Sequence, residues 1–321
     1  MRKALNAIKK EQFPWMLEAA KCAPQLAIKN DLNSAYRNCF RGLKQGKPAG
    51  RPKFHKKGAD DSFALSSDQF RVKNKSVEIP KLGWAGLAEK LRLDGEILNA
   101  AISGTADEWF IALQIEMPDI EIPVRENQAA GVDLGAGRLA ALSDKTEVAG
   151  SKASRKYEKQ LKRLNQSSAR KAGTEKSERK PGNFKKAKAK PSRLYAKMAD
   201  LRNDETHKPT AMIAQSCTLA GIENLNVQGM AGSRKLARSA ADMGFFEFRR
   251  QLECKAGAIG AKIVVADRWH PSSKKCSACG AVKPKDEPAS ATRACKCDCG
   301  FICDGDVNAE INLRNYALQH A

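Results

Sequence analysis

Near its C-terminus the chain runs Cys276-Ser-Ala-Cys279-Gly280, then Cys295-Lys-Cys297-Asp-Cys299-Gly300, and soon afterwards Asp304-Gly-Asp306-Val-Asn308-Ala309. A set of thiols is therefore followed directly by a pair of carboxylates. Structural zinc takes four ligands in a tetrahedron, with each thiolate sulfur about 2.3 Å from the ion. Two tight cysteine turns, each closed by a glycine, can supply these ligands without a large core. We therefore predict a structural zinc site, followed by an acid that takes part in chemistry.

The second cysteine turn is irregular because its cysteines occupy every other position. A cysteine just before a glycine is the natural turn residue, so Cys295 is only a substitute ligand and Cys303 a further candidate. Disulfides fit poorly, since no signal-peptide pattern is present and such pairs in an intracellular chain more often bind metal. Four other cysteines in apolar surroundings are interpreted as small core residues: Cys22, Cys39, Cys217 and Cys254. The predicted zinc ligands are Cys276, Cys279, Cys297 and Cys299.

Size and charge narrow the class of partner. The chain has 321 residues, enough for two domains or one large domain with insertions, and a net charge of +21. Such an excess points to a polyanion, and nucleic acid is the best candidate. No apolar run approaches the roughly 18 residues of a membrane helix. We expect no membrane partner, and a cytoplasmic chain that is nucleoid-associated when it is bound to DNA.

The N-terminal third changes from a helical to a strand pattern. Residues 1–50 carry an apolar stripe of Leu32, Tyr36, Phe40 and Leu43 at helical spacing. The basic loop 46–58 is equally consistent with a solvated linker and with a phosphate contact. Short alternating runs between 62 and 116 predict the strands of a small barrel or sheet. One of these predicted strands is Leu91-Arg-Leu93.

A strongly basic segment covers residues 151–208, with 19 Lys and Arg against 6 Asp and Glu. Apolar residues at helical spacing predict two helices joined by a loop within 173–191. Charge runs usually mark solvated faces. Here the excess is large and one-sided, which favours binding to a nucleic-acid backbone.

Three carboxylates interrupt apolar patterns. Asp133 lies in Gly131-Val-Asp133-Leu-Gly135, Glu223 in a later short strand, and Asp306 at a predicted helix start. A carboxylate in a buried strand is costly unless a cation or donor meets it, although Asp133 on an edge strand would simply face solvent. Acids gathered from distant segments repel unless divalent cations neutralise them, as in two-metal phosphodiester sites, and magnesium prefers oxygen ligands. No Ser-His-Asp or Cys-His arrangement competes.

Taken together, the motifs resemble the transposon-encoded OrfB/TnpB family, relatives of the RuvC-bearing type V CRISPR effectors. The resemblance implies an α/β fold with an RNase H-like (RuvC) core in which Asp133, Glu223 and Asp306 are the catalytic, magnesium-binding acids. It also implies an RNA-guided DNA endonuclease, whose partners are a guide RNA and target DNA. The matching segments are Phe13-Pro-Trp15, Asp61-Ser-Phe63, 71–74, 131–135, 222–226, 267–274, the cysteine turns and 306–309.

The resemblance also implies a domain order. We predict a partial helical segment at 1–60, a β-rich wedge at 61–125, a RuvC-like core at 126–270 with a basic helical insertion at 151–208, a zinc ribbon at 271–303, and a C-terminal RuvC segment at 304–321. Family chains begin earlier, so we expect this one to be N-terminally truncated.

Two positions depart from the family pattern. Gly305 stands where the family has an arginine, and Cys295 where it has an aromatic residue. Two alternative functions therefore stay open. One is a truncated or repurposed nucleic-acid-binding protein without cleavage activity, and the other is a guide-free nuclease or transposase that acts on structured DNA.

Overall fold

The computed structural model describes residues 7–8, 12–18, 23–46, 50–53, 61–118, 129–135, 137–143, 146–150, 152–172, 182–233, 236–283 and 294–321. The chain divides into two compact units, Met1–Asp119 and Ile120–Ala321. Cys22, most of the predicted basic loop 46–58, and residues 173–181 between the basic helices lie outside the described residues.

The helical part of the first unit follows the predicted period. Short turns at Pro14–Leu17 and Ala23–Leu26 and a π-helical turn at Ala27–Leu32 precede helix α1 (Asn33–Lys44). The apolar stripe is exposed rather than packed, because its four side chains keep between 44% and 57% of their surface accessible. Spacing alone therefore predicted the helix but not what its apolar face contacts.

Six strands form the rest of the first unit: β1 (Ser62–Ser66), β2 (Arg71–Lys73), β3 (Ser76–Ile79), β4 (Gly83–Gly86), β5 (Glu96–Thr105) and β6 (Glu108–Glu116). They pair as two antiparallel sheets, β1-β5-β6 and β2-β3-β4, whose buried side chains form one core. The strand predicted at Leu91-Arg-Leu93 is wrong, since these residues are in an exposed loop. The structure instead has strand β4 at Gly83–Gly86. Its four residues are all exposed, so it shows no alternation of buried and exposed positions.

The second unit is built on a five-stranded sheet: β7 (Ala129–Leu134), β8 (Ala140–Leu142), β9 (Glu147–Val148), β10 (Leu219–Ile222) and β11 (Lys262–Val265). The order is β11-β10-β7-β8-β9. Strands β7, β8 and β9 pair antiparallel, whereas β10 is parallel to both β7 and β11. Strand β7 is therefore central in this sheet, which excludes the edge-strand alternative for Asp133.

Five helices are described between β9 and β11, two before β10 and three after it: α2 (Ala153–Ala172), α3 (Gly182–Ser216), α4 (Val227–Gly232), α5 (Ala237–Met243) and α6 (Phe245–Ala258). The predicted stripes of α2 and α3 pack together around Ala153, Leu194 and Met198. Helix α3 continues through Pro209 to Ser216, and the chain then enters β10. None of the described helices is long and apolar enough to cross a membrane.

The C-terminal part adds the hairpin β12 (Ala294–Lys296) and β13 (Ile302–Asp304) and the helix α7 (Gly305–His320). Helix α7 lies directly on the sheet at two neighbouring glycines, Gly131 of β7 and Gly221 of β10, which face each other in register. A Cβ atom at Gly131 would lie 1.8 Å from the carbonyl oxygen of Glu310, and one at Gly221 would lie 2.1 Å from that of Leu313. Only glycine allows this approach.

Candidate functional site

The two glycines fix the direction of two of the predicted acids. Side chains two residues apart in a strand point to the same face. Asp133 follows Gly131 by two residues, so its side chain leaves β7 on the face that α7 covers. Glu223 follows Gly221 in the same way at the end of β10. Because Val132 and Ile222 are register partners, the two acids lie at the same level of neighbouring strands.

The third predicted acid reaches this place on α7. Asp304 caps the helix, its side chain accepting a 2.9 Å hydrogen bond from the backbone N–H of Asp306. Asp306 is therefore in the first turn, where the helix dipole favours a negative charge. One turn later, the backbone carbonyl of Glu310 contacts Gly131 of β7. Helix α7 therefore carries two acids, Asp306 and Glu310, towards Asp133.

The structure brings Asp133, Glu223 and Asp306 into one electrostatic site. The pKa of Asp133 is raised to about 7, first by burial and then by the negative charges of Glu223 and Asp306, with Arg138 opposing the rise. Burial also raises the pKa of Glu223, against a hydrogen bond from the buried Ser272. Because burial is the main cause of both shifts, holding these carboxyl groups in the charged form is costly without a cation.

Sequence reasoning missed two charged residues of the site. Glu310 is only 3% exposed, and its pKa is raised to about 7 by burial and by the neighbouring charges of Asp133 and Asp306. Its position four residues after Asp306 was the available signal, since residues at this spacing share a helix face. Arg138, in the turn after β7, forms ion pairs with Asp306 and Glu147. Nothing in its local sequence marks it.

These carboxylates suit a hard divalent cation, which binds oxygen ligands. The donor set is purely acidic, and one buried carboxylate oxygen, Glu310 Oε2, has no hydrogen-bond partner among the residues that the structure describes. No three acids in the described part of the chain have oxygens within 4.8 Å of one another, unlike the thiols below. A bound cation would offset the repulsion between these carboxylates and favour a closer grouping.

The predicted zinc ligands form a tighter cluster. The sulfur atoms of Cys276, Cys279, Cys297 and Cys299 all lie within 4.8 Å of one another. Two of the separations are 3.8 Å (Cys276 to Cys299) and 3.6 Å (Cys279 to Cys297). Ligands about 2.3 Å from a tetrahedral zinc ion are roughly 3.8 Å apart, so the cluster has the dimensions to hold zinc.

The remaining cysteines are outside this cluster. Cys295 and Cys303 face each other as register partners of β12 and β13, so neither takes the place of a predicted ligand. Backbone N–H groups of Cys279 and Ala278 help to lower the pKa of the Cys276 thiol to about 6, whereas the pKa of Cys297 is raised to about 12. A bound zinc ion would favour the thiolate at all four positions. Cys39 and Cys217 are buried as predicted, whereas Cys254 is exposed on α6 and its interpretation as a core residue was wrong.

Two asparagines connect the cysteine cluster to α7. The fully buried Asn308 accepts a 2.9 Å hydrogen bond from the Ser277 backbone N–H and donates a 2.7 Å bond to the Lys275 carbonyl. Asn312 donates to the same Lys275 carbonyl at 2.6 Å and to that of Ser272 at 2.8 Å. The turn that carries Cys276 is thereby held against the helix that carries Asp306.

The basic helices α2 and α3 present their charges to solvent. The Lys and Arg side chains of α2, and those of α3 from Lys185 to Lys197, are exposed, apart from the apolar seam where the helices meet. The base of the pair is fixed by Asp242, which accepts hydrogen bonds from Ser154 and from Arg202. A dense, exposed array of positive charge on a fixed support is suited to contacts with phosphate groups.

Comparisons with known proteins agree with this architecture. The family model of the OrfB type from insertion sequence IS605, described as "Probable transposase", matches residues 112–234. A second model, the Cas12f1-like TNB domain, matches residues 245–313, which include the cysteine cluster and most of α7. Together with a Streptomyces pristinaespiralis relative that is 30% identical to this chain, described next, these matches show that the chain belongs to the transposon-encoded OrfB/TnpB family.

Its relatives are matched over almost the whole chain. A Streptomyces pristinaespiralis protein named "Putative RNA-guided DNA endonuclease" is 30% identical over 95% of this chain and 73% of its own length. The Escherichia coli K12 protein "Putative RNA-guided DNA endonuclease InsQ" is 29% identical over 93% of this chain and 75% of its own length. Among solved structures, a Cas12f1–sgRNA–target DNA complex matches with a TM-score of 0.51, 14% identity, and coverage of 98% of this chain and 75% of that one. The fold is therefore a mixed α/β fold like that of Cas12f1.

Proposed function

We propose that this chain is an RNA-guided, magnesium-dependent DNA endonuclease of a mobile element, with a RuvC-type active site in an RNase H-like core. One observation carries this proposal: Asp133, Glu223 and the α7 residue Asp306 converge on one face of the sheet of the second unit. The sheet order supports it, because it makes β7 and β10 neighbours and sets Asp133 and Glu223 at the same level of the two strands. The names of the relatives support it as well.

Each acid has a separate part in this proposal. Asp133 and Glu223 offer carboxylates from rigid neighbouring strands, and Asp306 offers a third from the end of a helix pressed onto the same strands. Residues fixed in this way hold their ligand atoms without reorganisation. Divalent cations, when bound, would stabilise the attacking and leaving oxygens of a phosphodiester. Arg138, which pairs with Asp306, partly neutralises that carboxylate until a cation binds.

The partners proposed are a guide RNA and target DNA. Helices α2 and α3 would follow the nucleic-acid backbone through their exposed Lys and Arg side chains, whereas base pairing would read the target sequence. The cysteine cluster would hold a structural zinc ion and support α7 through Asn308. Binding to DNA would place the protein at the nucleoid.

The test compares Asp133→Asn with Asp94→Asn, an exposed aspartate of the first unit that is matched in charge and size. Both proteins are purified with their RNA and incubated with target DNA and Mg²⁺. We expect Asp133→Asn to lose cleavage by at least about 100-fold, because it removes an acid that touches the cation, while RNA binding is unchanged.

Three results would contradict the proposal in distinct ways. Cleavage by Asp133→Asn at the wild-type rate would exclude this active site. Cleavage that persists after the co-purified RNA is digested would favour a guide-free nuclease. Wild-type protein that binds RNA with a steep dependence on salt, but cuts with no metal, would be a binding protein without cleavage activity.

A further inference from the structure

We propose that Glu310 is a fourth metal-binding carboxylate of this site. The inference rests on the proposed function and extends it, since it assigns a ligand beyond the three acids that the motifs indicate. Its basis is the place of Glu310 on α7, its burial and its unpartnered oxygen.

The first argument is position. Glu310 follows Asp306 by four residues, so the two side chains share one face of α7. The backbone carbonyl of Glu310 is the group that meets Gly131, and Asp133 projects from the same face of β7 as Gly131. The side chain of Glu310 is thus carried by the helical turn in contact with the strand that bears Asp133. The charges agree, because Asp133, Asp306 and Asp304 all act electrostatically on Glu310.

The second argument is the unpartnered oxygen. Glu310 is almost fully buried, with 3% of its surface exposed, and its Oε2 atom accepts no hydrogen bond from the described residues. Buried carboxylates are normally paired, hydrogen-bonded or bound to metals. The negative charges of Asp133, Asp306 and Asp304 act on Glu310, with Arg138 as the opposing positive charge. A divalent cation bound at Oε2 would give this oxygen the partner that it lacks.

The third argument is charge balance with Arg138. Arg138 brings one positive charge into the site through its ion pair with Asp306, and it acts on Glu310 as well. The same guanidinium is shared with Glu147, so Arg138 offsets only part of the negative charge of the site. Glu310 adds a further negative charge beside Asp133 and Asp306, which a bound divalent cation would offset.

The test measures cation binding rather than cleavage. Full-length protein with its co-purified RNA is titrated with Mn²⁺ at pH 8, and free Mn²⁺ is followed by electron paramagnetic resonance. The variants are Glu310→Gln, which keeps the shape of the side chain, and Glu253→Gln, an exposed glutamate of α6 as the charge-matched control. Asp133→Asn is included as a site variant, and zinc content and circular dichroism verify the fold.

We expect Glu310→Gln to weaken at least one Mn²⁺-binding step by about ten-fold or more relative to Glu253→Gln, since it removes a ligand. If Asp133→Asn weakens Mn²⁺ binding and Glu310→Gln does not, Glu310 is a buried structural acid and this inference alone is overturned. If neither variant differs from Glu253→Gln, the cation site itself is absent and the proposed function fails with it.

Discussion

Replacing Gly131 by alanine tests the contact on which the site is built. The added Cβ would lie 1.8 Å from the Glu310 carbonyl oxygen, 2.7 Å from its carbonyl carbon and 2.8 Å from the Arg314 backbone nitrogen. All three atoms belong to the backbone of α7, so no side-chain rotation relieves the clash. Because ordinary contacts of this kind are about 3.5 Å, α7 must move away from β7 by more than 1 Å.

The expected cost follows from overpacking. Inserting a methyl group into a packed core typically costs about 1–3 kcal/mol in free energy of unfolding. For a domain of about 200 residues this corresponds to a fall in Tm of roughly 2–12 °C. The displacement also moves Asp306 and Glu310 away from Asp133, and a misplacement of about 1 Å can cost roughly 100-fold in rate.

The assay is thermal unfolding followed by circular dichroism, with Mg²⁺-dependent cleavage measured on the same preparations. Gly257→Ala is the matched control, because Gly257 is also in regular structure, in α6, and its new Cβ would meet nothing within 4 Å. We expect that control to be neutral or slightly stabilising. A Gly131→Ala protein whose Tm and cleavage rate equal those of Gly257→Ala would refute the packing of α7 on β7.

Three further predictions concern the metal centres and the charges around them. Cys276→Ser should lose the bound zinc, measured by mass spectrometry, whereas Cys295→Ser should keep it because Cys295 lies outside the cluster; equal zinc loss in both would contradict the ligand assignment. Arg138→Ala should bind Mn²⁺ several-fold more tightly at pH 8, because the metal ion no longer competes with the Arg138 guanidinium for the Asp306 carboxylate. Weaker binding would show that Arg138 organises the site instead. The pKa of Asp133 is raised from 3.8 to about 7, so without divalent cations its contribution to stability is complete below about pH 4 and is lost as the pH rises through 7. Between about pH 4 and pH 7, the free energy of unfolding of the wild type should fall relative to that of Asp133→Asn by on the order of a few kcal/mol. Urea denaturation at several pH values measures this difference. A difference that does not change with pH would exclude the raised pKa of Asp133.

The four zinc ligands could be predicted from the sequence because each pair of cysteines is close together in a short turn. Two glycine-closed turns specify a ligand set whatever surrounds them, and the structure places the four chosen thiols together. The basic helices were predictable for a similar reason, since periodicity and charge belong to each segment by itself. The three acids were named from their segments and from the family resemblance, and their roles as metal ligands stay predictions.

Residues whose role depends on packing are harder to find this way. The spacing of four residues from Asp306 puts Glu310 on the same helix face, but it does not show that this face is buried. Glu310 lies in an ordinary helical sequence, and only the docking of α7 onto Gly131 buries it beside Asp133. Arg138 pairs with Asp306, which lies 168 positions further along the chain. The stripe of α1 shows the converse, because its period predicted a helix correctly while its side chains are exposed. Burial is a property of the assembled unit, which a pattern within one element does not contain.

The buried Asn308 joins two parts of the protein that are usually considered separately. It fastens the turn that bears the first thiol pair to the very helix whose opening turn bears an acid of the proposed cutting centre. If the cluster binds zinc as proposed, loss of that ion by chelation or thiol oxidation would slacken the mount of a carboxylate that never touches it. Zinc supply would then govern the proposed cleavage through mechanical support, without zinc having any part in the reaction.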